Sequence, residues 1–139
     1  MGRVVVPAKI ENLSDLYHLD TGSLSPDEVR SVEVPDALVD YGATGLSMPM
    51  RLISQLGLRP TRKRRVLTAM GPTEVQVHGA VRLTVQGRDC IVDVSEVPDE
   101  CPVLIGQVPL ELLDFLIDSQ GRRLIGNPAH GGEQMLEMY

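Results

Sequence analysis

The long segment from Arg64 to Val97 shows no helical spacing of apolar side chains and is punctuated by glycines, which confines the chain to a β architecture. Within it, Val66 to Met70 reads as a strand, Gly71-Pro72 as a turn, and Val75 to Val85 as a second strand broken at Gly79. Gly87-Arg88 then turns the chain into a third strand, Ile91 to Val97. Three long strands in hairpin order follow. Aromatic residues are scarce, with one Phe, three Tyr and no Trp, so the core must come from Val, Leu, Ile and Met, which suit tightly packed sheets. With 139 residues, 42% of them apolar, the chain can build one core and not two, and a single domain over 1–139 is expected.

The flanks add short elements. Val4 to Ile10 predicts a strand interrupted by Pro7, a residue that suits an edge or strand end. Leu13, Leu16 and Tyr17 recur at helical spacing behind Ser14, and Ser25-Pro26-Asp27-Glu28 has the form of a capped helix start. Together they predict a helical insertion near 13–30, with Asp20-Thr21-Gly22-Ser23 as the loop between. Val32 and Val34 alternate with polar residues, and Ala37-Leu38-Val39 then forms a buried strand that delivers Asp40. Ser47 is expected to cap a helix with Pro49 near its start, Met50, Ile53 and Leu56 on one face, and Gly57 as terminator. Cys101 to Ile105 predicts an apolar strand closed by Gly106. Pro109 opens a predicted helix carrying Leu110, Leu113, Leu116 and Ile117 as far as Gly121, and Arg123 to Ile125 is a last strand. The tail 127–139 ends in an apolar cluster of Met135, Leu136, Met138 and Tyr139, which we expect to be covered, preferably by contact between subunits. No internal repeat suggests a duplicated, two-lobed chain.

A net charge of −6 argues against nucleic acid as a partner. No apolar run is long enough to cross a bilayer and the N-terminus lacks the regions of a signal peptide, so no membrane partner and a cytoplasmic location are expected. Cys90 and Cys101 are therefore expected as free thiols. His18, His78 and His130 share no metal-binding spacing with either cysteine, and no metal or other cofactor is expected. The basic run Arg59, Arg62, Lys63, Arg64 and Arg65, without interleaved aromatics, is expected to be a solvated loop and strand edge.

The resulting order is an apolar strand ending in Asp-x-Gly-Ala, a short helix, a long Gly-tipped hairpin, and an apolar-apolar-Gly strand leading into a helix. Carried by Ala37-Leu38-Val39-Asp40-Tyr41-Gly42-Ala43-Thr44 and Val103-Leu104-Ile105-Gly106, this resembles the retropepsin-like (retroviral-type) family of aspartic peptidases from Val32 to about Ile125. The resemblance implies a mostly β fold, a closed β-barrel of the acid-protease type with two or three short helices. It implies Asp40 as the catalytic carboxylate in an active-site turn with Tyr41, Gly42, Ala43 and Thr44. It also implies a flap at Ala69, Met70, Gly71 and Pro72, and Leu104, Ile105 and Gly106 as the strand supporting the turn.

Two carboxylates that share one proton can hydrolyse a peptide without metal or covalent intermediate: the ionised one deprotonates water and the protonated one donates to the carbonyl oxygen. Carboxylates held about 3 Å apart cannot both ionise, so the proton belongs to the pair. This chain supplies one such turn. The resemblance therefore implies a homodimer, with the second Asp40 from a twofold-related copy, acting as an aspartic endopeptidase on peptide or protein substrates. Two features qualify it. The family places Thr or Ser after the catalytic Asp, where a short hydroxyl bonds across the dimer axis, whereas Tyr41 carries its oxygen roughly 6 Å from Cα. The alternative is a weak or inactive peptide-binding or oligomerisation module. Leu19-Asp20-Thr21-Gly22-Ser23 spells a closer match to the motif, yet follows a helical pattern instead of a buried strand, so Asp20 is expected in a plain turn.

Overall fold

The computed structural model describes residues 4–118 and 120–138. In chain order it holds β1 (Val4–Asn12), α1 (Leu13–Asp20), β2 (Ser31–Val39), β3 (Leu46–Pro49), α2 (Met50–Leu56), β4 (Arg59–Thr68) and β5 (Gly71–Val85). Then come β6 (Arg88–Val97), β7 (Leu104–Ile105), α3 (Gln107–Leu113), β8 (Phe115–Asp118) and β9 (Arg123–Gly126), with single 3-10 turns at Pro26–Glu28 and Pro128–His130. The large sheet runs β1-β2-β7-β3-β6-β5-β4, and β1 also pairs with β5. The first six strands of that order thus close into a barrel, and β4 projects beyond β5 as a free edge. The fold is mostly β with three short helices, as expected.

Alternation explains the closure. Val4, Val6, Ala8 and Ile10 point inward from β1, and Val32, Val34, Ala37 and Val39 do so from β2. Pro7 stays compatible with this because Pro35 and Asp36 together oppose it, a bulge that keeps both strands in phase with the core. At the β1–β5 seam, Glu11 lies opposite Arg82, whose Nε and Nη2 both donate to Glu11 Oε1 at 3.1 and 2.9 Å. The core is aliphatic, with Ile10, Leu46, Met48, Ile53, Leu56, Leu83, Ile105, Leu110 and Leu113 fully enclosed.

Several expected boundaries move. α1 is capped by Asn12, whose Oδ1 accepts from the Asp15 amide at 3.0 Å. The capping box at Ser25 forms but supports only one 3-10 turn. Arg30 is then taken by the buried Asp15 carboxylate, which accepts from the Arg30 amide at 3.0 Å, Nε at 2.8 Å and Nη2 at 2.9 Å. That clamp holds the Asp15 carboxyl below its ordinary range, chiefly through the guanidinium bonds and against the opposing effect of burial. Ser47 lies in β3, which runs parallel to β6, so it caps nothing. Pro49 precedes α2 and lacks a capping side chain. Asp99, far along the chain, instead accepts from the Arg51 amide at 3.1 Å. Ile53 and Leu56 are buried on α2, Met50 is exposed, and Gly57 ends the helix at φ 63° as expected.

The hairpin turns also fall earlier than their glycine dipeptides suggest. Gln86 and Gly87, with φ of 49° and 80°, form the β5–β6 turn, the two positive angles that a tight two-residue hairpin requires, and Arg88 already belongs to β6. β4 begins at Arg59, its basic residues lying within the strand. Cys101 to Val103 stay outside β7, which has two residues. The helix expected to reach Gly121 stops at Leu113, because Asp114 adopts the left-handed conformation (φ 60°), and Leu116 and Ile117 instead join the β8–β9 hairpin.

Candidate active site

β2 ends at Val39, and Asp40 emerges exposed at the top of the barrel. Its backbone is tied before the chain leaves the sheet: the Leu38 amide donates to Val103 O at 2.8 Å and the Asp40 amide to Ile105 O at 3.0 Å. The chain then reverses, with the Ala43 amide donating to Asp40 O at 3.2 Å and the Gly42 amide to Asp40 Oδ1 at 2.8 Å. This local turn orients the carboxylate without burying it. At Gly42 a Cβ would stand 3.1 Å from that same oxygen, so glycine lets the backbone approach the carboxylate closely.

β7 holds both sides of the turn. Leu104 and Ile105 pair in parallel with Leu38 and Val39 entering it, and antiparallel with Ser47 and Leu46 leaving it. The next residue seals the arrangement: Gly106 donates to Gly45 O at 2.9 Å, then Gln107 to Ala43 O and Val108 to Thr44 O, each at 2.8 Å. A Cβ at Gly106 would stand 2.6 Å from both Ala43 O and Gly45 O, which explains why a glycine must follow the apolar pair. The first amides of α3 are thus consumed by turn carbonyls. The sequence reading placed Leu104, Ile105 and Gly106 behind this turn, and it missed Gly45, Gln107 and Val108, whose roles are purely main-chain.

Tyr41 leaves the turn sideways. Its Oη accepts from the Ile117 amide on β8 at 3.2 Å, and the ring, 47% exposed, borders a groove of about 520 Å³ with Leu110, Phe115, Leu116, His130 and Leu136. Nothing in the sequence signalled Ile117, because its placement depends on β8 replacing the end of the expected helix. Ala43 is half-buried and Thr44 exposed.

The β4–β5 hairpin turns at Ala69 and Met70; Gly71 and Pro72, expected in the turn, are the first residues of β5, opposite Thr68 and Leu67. Thr68 Oγ1 accepts from the Met70 amide at 3.1 Å and donates to Gly71 O at 2.8 Å. Leu67 and Met70 are 83% and 98% exposed, so the tip presents apolar side chains that no other described element covers. Asp20, the rival candidate, is the exposed last residue of α1, and Thr21 caps that helix by donating its amide to Tyr17 O at 3.1 Å. It enters no strand-supported turn.

The thiols differ in environment. Cys90 is buried, which pushes its thiol up to about 11, with the Asp89 charge adding to the effect, and Cys101 is half-buried; both are free. No described helix is long and apolar enough to cross a membrane. The tail is fastened instead of loose. Asp114 accepts from Asn127 Nδ2 at 3.2 Å, His130 Nδ1 at 2.6 Å and the Met135 amide at 3.1 Å, while Met135, Leu136 and Met138 remain exposed; Tyr139 of the expected cluster lies outside the described residues.

A family model described as aspartyl protease matches residues 27–119, about two thirds of the chain, a span that includes Asp40 and leaves Asp20 outside. No curated protein matches.

Proposed function

The chain belongs to the aspartyl protease family, and from that premise we propose that it is a homodimeric aspartic endopeptidase whose catalytic pair is Asp40 from each of two copies. The observation that carries the proposal is the turn itself. An exposed carboxylate stands at the end of a buried strand, oriented by the Gly42 amide at 2.8 Å and braced on both flanks by β7. One such turn per chain supplies half of a general acid–base pair, so a second copy completes it. Within the pair, the ionised Asp40 takes the proton of a water held between the carboxylates as that water attacks the peptide carbonyl. The protonated partner donates to the developing oxyanion, and the tetrahedral species collapses with proton transfer to the leaving amine. The hairpin tip at Ala69, Met70, Gly71 and Pro72 serves as a flap that closes on extended peptide and excludes water, its exposed Leu67 and Met70 finding cover there. We place the reaction in a cytoplasmic setting with no cofactor.

One observation favours a second reading, a peptide-binding or oligomerisation module with little or no turnover. The Ile117 amide holds the Tyr41 hydroxyl at β8 within its own protomer, away from the place beside Asp40 where a short hydroxyl would stand to lock two turns together across a dimer axis.

The deciding experiment compares wild type and Asp40→Asn for hydrolysis of a mixed-peptide library at mildly acidic pH, together with solution mass. The endopeptidase reading expects cleavage by a dimer and loss of at least about 10³-fold in the variant. Full activity in Asp40→Asn, or a monomer that cleaves, overturns it; a wild-type dimer that binds peptides without cutting them establishes the second reading.

A further inference from the structure

We propose that the free edge of β4 is a docking strand for an acidic, extended segment of a partner protein, added to the sheet by backbone hydrogen bonds. The site is separate from the Asp40 turn and does not depend on the peptidase reading.

Three observations converge. First, among the described residues β4 is the last strand of the seven-stranded sheet and pairs only with β5, so the alternate N–H and C=O groups on its other side have no strand partner there over the length of Arg59–Thr68. Ten residues of strand span about 33 Å, enough for a peptide of similar length. Second, five of the 13 Lys and Arg residues fall between 59 and 65, in a chain whose net charge is −6. Among the described residues only Arg62 of these five meets a carboxylate, Asp93 at 3.3 Å, and Arg59, Lys63 and Arg65 are exposed. Third, the charges occupy both faces of the strand: the register sets Arg62 and Arg64 on one side, Lys63 and Arg65 on the other.

Charge decides the occupant. Cations on an edge strand keep like edges apart, so a second β4 would bring the two basic runs into opposition. The same row attracts a strand carrying Asp or Glu at alternate positions, and main-chain pairing then fixes its direction and register. A nucleic acid would satisfy the charge but needs stacking platforms to be held as a single strand, and residues 59–75 contain no aromatic.

The test uses full-length protein carrying Asp40→Asn, so that bound peptide is not cleaved, and a fluorescein-labelled ten-residue peptide alternating Glu and Val. Companion probes are its Gln-for-Glu counterpart, two versions N-methylated at alternate odd or even positions, and a single-stranded DNA of equal charge. Docking on β4 predicts binding by anisotropy that weakens about tenfold or more with Gln. It also predicts loss with one N-methyl pattern and retention with the other, since only one set of amides faces the sheet. Hydrogen exchange should slow in residues 59–65, and Lys63→Glu/Arg65→Glu should abolish binding. Equal binding of the DNA shows a polyanion surface and overturns the proposal. So does equal binding of both N-methylated peptides. Protection at residues 40–44 and 67–72 without protection at 59–65 places the peptide at the Asp40 turn and also overturns it, leaving the peptidase reading intact.

Discussion

A phenol in place of a short hydroxyl changes which contact the residue after Asp40 can make. Tyr41 reaches across its own protomer to the Ile117 amide at 3.2 Å, taking up a donor on β8 of the small hairpin. Threonine at this position could not reach that amide, and its hydroxyl would remain near the turn, where a second copy could use it. Tyr41→Thr is therefore expected to tighten self-association and raise peptide turnover, and Tyr41→Phe, which removes only the hydroxyl, to cost stability by about 1 kcal/mol without tightening the dimer. Sedimentation equilibrium and urea titration of the two variants check this; identical dimer affinity in Tyr41→Thr and Tyr41→Phe would refute the role assigned to the hydroxyl.

Between elements, the two residues of β7 matter more than their length suggests. They join the strand entering the candidate turn to the strand leaving it, and Gly106 brings the start of α3 against the turn carbonyls. The φ of Gly106 is −93°, so other residues could adopt its backbone; contact alone excludes them, because a Cβ would press on two carbonyl oxygens at 2.6 Å that are already bonded to neighbouring amides. Gly106→Ala is expected to destabilise by about 2 kcal/mol and to abolish turnover beyond that loss, since the displaced atoms belong to Ala43 and Gly45. Gly45→Ala, where a Cβ meets open space, is the control. Denaturant midpoints and peptide cleavage measured on both variants distinguish the two; comparable behaviour of the pair would remove the steric explanation.

Across the whole molecule, barrel closure leaves the termini to be secured separately, and ionisable groups secure the C-terminal tail. His130 sits between two carboxylates, its Nδ1 2.6 Å from Asp114 and its Nε2 3.2 Å from Glu137, while Arg88 of β6 holds the carbonyls of Leu113, Asp114 and Gly132, and Glu111 and Tyr41 line the same groove. Only the imidazolium can donate from both nitrogens. The Asp114 bond, then that of Glu137, raises the His130 pKa above its ordinary 6.5. Burial pushes Asp114 up, but the bonds from His130, Asn127 and the Met135 amide outweigh it and hold the group below 3.8. A raised histidine stabilises fully below its unfolded pKa and loses that contribution as pH rises through the folded value; a lowered aspartate stabilises above its unfolded pKa and loses it as pH falls through the folded value. Tail attachment should therefore be strongest between about pH 4 and 6.5. Exchange of the Met135 amide, corrected for intrinsic rate, is expected to be slower at pH 5.5 than at pH 8.5, with the difference lost in His130→Gln. A difference that persists in the variant would show that another group governs the tail.

The sequence alone determined the β character, the single aliphatic core, the strand that presents Asp40 and the stop at Gly57. Each depends on alternation, residue volume or a backbone angle available to few side chains, all of which act within a few residues. Tertiary structure decided what depends on partners far along the chain. Asp99 caps α2 because folding brings its side chain to the unsatisfied Arg51 amide, whereas the local candidate Ser47 is placed in β3. Leu116 and Ile117 fit helical and extended patterns equally well over so short a run, and β9 settled the matter by supplying the missing hydrogen-bond partners. The same holds for the direction of Tyr41: its residue type is legible in the sequence, but the amide it meets exists only once Asp114 has ended the helix and β8 has formed.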